Sequence, residues 1–163
     1  MAKTKTLSVP RTFGFGAGVL ALGLIMFSVV GAVWGLLRPT MTAMVRDDGA
    51  YVLTGPDNVE FVSFITFAII TGVVAAILAL IAYLKNPSRR GFGSLMWVTA
   101  VAALGAFAFF VMGGATASSF PEDPGISEDF VPQMAPGVAW LVAPFVAALT
   151  YWCAVFVAGD EEW

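Results

Sequence analysis

The chain has 163 residues, 59% of them hydrophobic and 12% charged, with a net charge of -3. Its mean hydropathy is +0.87, whereas soluble domains are typically about 45–50% apolar. One cysteine, Cys153, excludes an internal disulfide or dithiol pair, and no histidine is present. No basic patch is interleaved with aromatics, so no nucleic-acid partner is expected.

A short tail with Lys3, Lys5 and Arg11 precedes an uncharged run from Phe13 to Leu37. A basic tail before an apolar run also fits a signal peptide. The run exceeds a 7–15-residue signal core, and no clear small-x-small site follows it. A retained first span is therefore expected. It carries two Gly-x-x-x-Gly pairs, Gly14 with Gly18 and Gly31 with Gly35. Small residues four apart let a second helix approach closely, so that dispersion holds helices together in lipid. The four glycines are expected to share one helix-contact face. Trp34 is expected to anchor the interface at the outer end.

The first outer loop, Arg38 to Glu60, holds a turn signal at Asp47-Asp48-Gly49 between two β-tolerant runs. A short hairpin is expected there. Isolated two-stranded hairpins are marginal in water, so this one needs the membrane surface, the other outer loop or a partner. Asp57 and Glu60 then stand at capping-box spacing before the second span. That span, Phe61 to Leu84, is about 36 Å of helix against a hydrocarbon core of about 30 Å. Lys85, Arg89 and Arg90 follow it and orient that end to the cytoplasm. The same three bases are candidates for an anionic lipid head group, although the positive-inside rule alone explains them.

The third span, Phe92 to about Thr116, is rich in alanine, with Ala102 and Ala106 at contact spacing. The second outer loop contains Glu122, Asp123, Glu128 and Asp129 without a known calcium-loop spacing, and reads as a solvated acidic segment. The fourth span, Val138 to Ala158, carries the stripe Ala139, Ala143 and Ala147. Pro144 lies inside it and is expected to kink the helix or displace a backbone bond near Trp140.

The expected architecture is an all-α membrane protein: a four-helix transmembrane bundle with a short outer β-hairpin. One domain covers residues 1–163, with spans near 13–37, 61–84, 92–116 and 138–158. Both termini are expected in the cytoplasm, and the whole in the cell membrane. None of the four spans contains Asp, Glu, Lys, Arg or His. Ion-coupled transporters and proton pumps need such a group inside the membrane. Haem in a membrane four-helix bundle is normally held by histidine. No catalytic residue, cofactor or metal is therefore expected, and the chain is not expected to be an enzyme.

At Val33-Trp34-Gly35-Leu36-Leu37-Arg38-Pro39, followed by the acidic loop and the helix start from Asp57 to Phe61, the chain resembles small four-span actinobacterial membrane proteins. In size and layout it is similar to accessory subunits of the actinobacterial cytochrome bcc–cytochrome oxidase supercomplex. The resemblance implies a non-catalytic subunit of a larger membrane complex and supplies no catalytic residues. The rival class is a free-standing small transporter or lipid-binding membrane protein.

Overall fold

A computed structural model describes residues 11–45, 51–87, 90–117 and 127–159. Four helices are long and apolar enough to cross a membrane. Helix α1 covers Arg11–Leu37, α2 Val59–Lys85, α3 Phe92–Thr116 and α4 Val142–Gly159. The turn signals set their ends. Pro39 stops α1 because its ring denies an amide and restricts the residue before it. Asn86 and Pro87 stop α2 in the same way.

Two helix starts differ from expectation. The residue preceding α2 is Asn58, not Asp57; its side chain caps no amide, and its carbonyl accepts the first helical bond from Val62 N at 2.9 Å. Pro144 does not fall in the middle of a helix. A 3-10 segment, Gly137–Leu141, precedes α4, so Pro144 occupies its first turn. There the missing amide costs little, because first-turn amides lack intrahelical partners anyway. The disturbance near Trp140 is a change of helix type. Gly137, with φ of +50°, supplies the left-handed residue that starts the segment.

The expected hairpin is two strands of a three-stranded sheet. Strands β1, Met41–Val45, and β2, Tyr51–Thr54, pair antiparallel with Val45 opposite Tyr51. Strand β3, Ser127–Phe130, comes from the second loop and pairs antiparallel on the other side of β1. The order is β2-β1-β3. The second loop thus supplies the support that an isolated hairpin lacks. Thr42 donates to Asp129 across the β1–β3 pair at 2.6 Å, so this loop carboxylate is tied into the sheet. The turn residues 46–50, and Glu122 and Asp123, lie outside the described residues.

Helix α1 packs chiefly on α3, and α2 chiefly on α4. The α1–α3 contact alternates notch and knob. A Cβ on Gly23 would meet Val101, on Gly105 Phe27, on Gly31 the Phe109 backbone, and on Gly35 the Gly113 carbonyl. Each α3 partner lies 78 positions after its α1 partner, a constant parallel register. On α4 the expected alanine stripe is buried, and Tyr151 extends it by one turn. Three in-span threonines follow the membrane rule of bonding to backbone: Thr66, Thr71 and Thr99 each donate to the carbonyl one turn earlier, at 2.7–2.8 Å. Thr116 also donates across to Ala32 O on α1 at 2.9 Å.

Candidate functional site

The glycine face divides in two. Gly31 and Gly35 are buried against α3, where a Cβ on Gly31 would come to 2.7 Å from Phe109 Cα. Gly14 and Gly18 are exposed, with nothing within 4 Å of an added Cβ. A single docking face made of all four is therefore incorrect. The step from Gly14 to Gly31 ends about 100° short of five full turns at about 100° per residue, so the pairs point in different directions. Gly31 and Gly35 are helix contacts inside the chain.

The sheet end of the bundle is built around Trp34 and Arg38. Trp34 is 5% exposed, so it is a core ring and not the expected interface anchor. Its Nε1 donates to Thr66 Oγ1 at 3.0 Å. Its ring lies 5.1 Å from Phe109 and 6.0 Å from Phe67. Phe67 also meets Phe110 and Trp140 edge-on, at 6.2 and 5.7 Å. Rings from all four spans therefore meet here at the separations that aromatic quadrupoles favour.

Arg38, one residue beyond α1, closes this cluster. Its guanidinium stands 4.9 Å from the Trp34 ring. Its Nη2 donates to Pro132 O at 2.7 Å, and its Nε donates to the fully buried Ser63 at 3.3 Å. Burial pushes its pKa down, yet arginine keeps its proton in proteins. The half-buried charge is stabilised by these acceptors and by the indole face. One side chain thereby joins the end of α1, the start of α2 and the irregular segment between β3 and the 3-10 turn. Val131 and Met134 of that segment are buried over the bundle.

At the opposite end, Lys85 and Arg90 are exposed, and Arg89 lies outside the described residues. The Arg90 guanidinium lies 4.0 Å from the Tyr83 ring centroid. Beside it an apolar groove separates the C-terminal parts of α2 and α4. Among the described residues no cluster of His, Cys, Asp or Glu suits a metal ion.

No family, curated protein or solved structure matches this chain.

Sequence reasoning missed two features. Arg38 reads as a loop charge, but its place beside Trp34 in the sequence is the signal for a cation near an indole. The groove carries no local signal, because its walls come from segments far apart in the chain.

Proposed function

We propose that the chain is a non-catalytic accessory subunit of a larger membrane complex, of the type found with the actinobacterial cytochrome bcc–oxidase supercomplex. The observation that carries this reading is the sheet. Both extramembrane loops contribute strands to it, and Arg38 fastens its base to the bundle. Strand β2 forms one edge of the sheet, and Met44, Val52 and Leu53 are exposed on β1 and β2. An edge strand with apolar side chains is a template for pairing with another chain. An extramembrane sheet with such an edge suits docking better than transport. The spans offer no carboxylate, base or imidazole for ion coupling.

The proposed topology places the Lys85 end in the cytoplasm and the sheet outside, following the bases Lys3, Lys5, Arg11, Lys85, Arg89 and Arg90. Affinity purification from the native membrane in mild detergent tests the assignment. A stoichiometric membrane partner with haem absorbance is expected. A chain recovered free of any protein partner contradicts it.

A further inference from the structure

At the Lys85 end, the surface combines an open apolar groove with an exposed cation stacked on a tyrosine ring of the groove wall. The groove runs between α2 and α4, lined by Leu80, Leu84, Leu149, Cys153 and Val157, with Tyr83 in its wall. Its volume is about 680 Å³. Tyr83 is 7% exposed and its hydroxyl has no hydrogen-bond partner. Its ring meets Tyr151 edge-on at 5.9 Å, and the Tyr151 hydroxyl, on a residue 1% exposed, is also unpartnered. Burying a hydroxyl without an acceptor costs about 1–3 kcal/mol by protein mutational data. Native structures therefore normally satisfy such groups.

We propose that this groove holds one anionic phospholipid. An acyl chain lies along Leu80, Leu84, Leu149 and Val157, which are apolar over their whole length. The Tyr83 hydroxyl itself lies buried, so the lipid packs against the tyrosine ring in the groove wall. Lys85 at the end of α2 and Arg90 just before α3 meet the phosphate. Arg90, although exposed, is already stacked on the Tyr83 ring, so its charge sits beside the groove. A zwitterionic lipid fills the same apolar space but gains less from two cations. Asp160, Glu161 and Glu162 follow α4 in the sequence and lie outside the described residues. At physiological ionic strength exposed charges are screened over about 8 Å, so the phosphate gains from these cations only at close range.

Native mass spectrometry of the full-length protein tests this, with dioleoyl phosphatidylglycerol and dioleoyl phosphatidylcholine titrated separately. One phosphatidylglycerol per chain is expected, retained at lower concentration than phosphatidylcholine. The double variant Lys85→Gln with Arg90→Gln should raise its half-saturation about tenfold, a loss of about 1.4 kcal/mol. Arg90→Lys, which keeps the charge, should retain the lipid. Cys153→Trp should block the groove, and because Cys153 is exposed, its thermal midpoint should stay near wild type. Equal retention of the two lipids overturns the proposal. So does wild-type phosphatidylglycerol retention by either the double variant or Cys153→Trp.

Discussion

Replacing Gly31 by alanine should lower stability and replacing Gly18 by alanine should not, although both glycines belong to Gly-x-x-x-Gly pairs on the same helix. A Cβ at Gly31 would lie 2.7 Å from Phe109 Cα and 2.9 Å from its carbonyl carbon, and closer still to the oxygen. Carbon atoms at rest stand about 3.5–4.0 Å apart. The atoms in the way are backbone, so no side chain can rotate aside, and α1 must move away from α3 by up to about 1 Å. A gap of that size forfeits about a quarter to a half of each dispersion contact it opens. Overpacking of this kind costs about 1–3 kcal/mol. The propensity gain of alanine over glycine in a helix, about 0.5–1 kcal/mol, offsets part of that. At Gly18 only the gain remains, because the space is open. Thermal unfolding in detergent reads the difference. At about 2–4 °C per kcal/mol for a chain of this size, Gly31→Ala should lower the midpoint by several degrees. Gly18→Ala should leave it unchanged or raise it. Equal shifts in the two variants would refute the notch-and-knob packing of α1 on α3.

Arg38→Gln should loosen the sheet from the bundle. It removes the charged donor to Pro132 O and the cation beside Trp34, a loss of about 1.5–3 kcal/mol for a charge-assisted bond. Amide exchange should speed up in β1 and β3 more than in the middle of α2, and uniform protection would contradict that role. The proposed orientation is checked in a Cys153→Ala background. A thiol placed by Ala50→Cys should react with an impermeant maleimide in intact cells, one placed by Ser88→Cys should not, and the reverse pattern inverts the topology.

The membrane architecture was legible because charge depletion and helix-breaking Asn86-Pro87 and Arg38-Pro39 are local signals. The alanine stripes on α3 and α4 were legible for the same reason, since residues four apart share a face. What stayed hidden depends on pairing between distant segments. Ser127 to Phe130 shows no alternation of apolar and polar residues, so only the open side of β1 makes it a strand. Trp34 looked like an interface ring because it stands near a helix end. It is buried because Gly113, 79 positions later, leaves room for the indole, whose Cε3 lies 2.6 Å from where a Cβ would stand. The glycine pairs announced close approach, but not which pair meets a helix of its own chain.

The most direct test of the accessory-subunit reading is native mass spectrometry of the tagged protein released from its own membranes, alongside the visible absorption spectrum of the same sample. The account predicts that the 17.2 kDa chain appears in fixed stoichiometry within a larger assembly of membrane proteins that carries haem bands. A species containing only the 17.2 kDa chain and bound lipid, without a protein partner or haem, would contradict it.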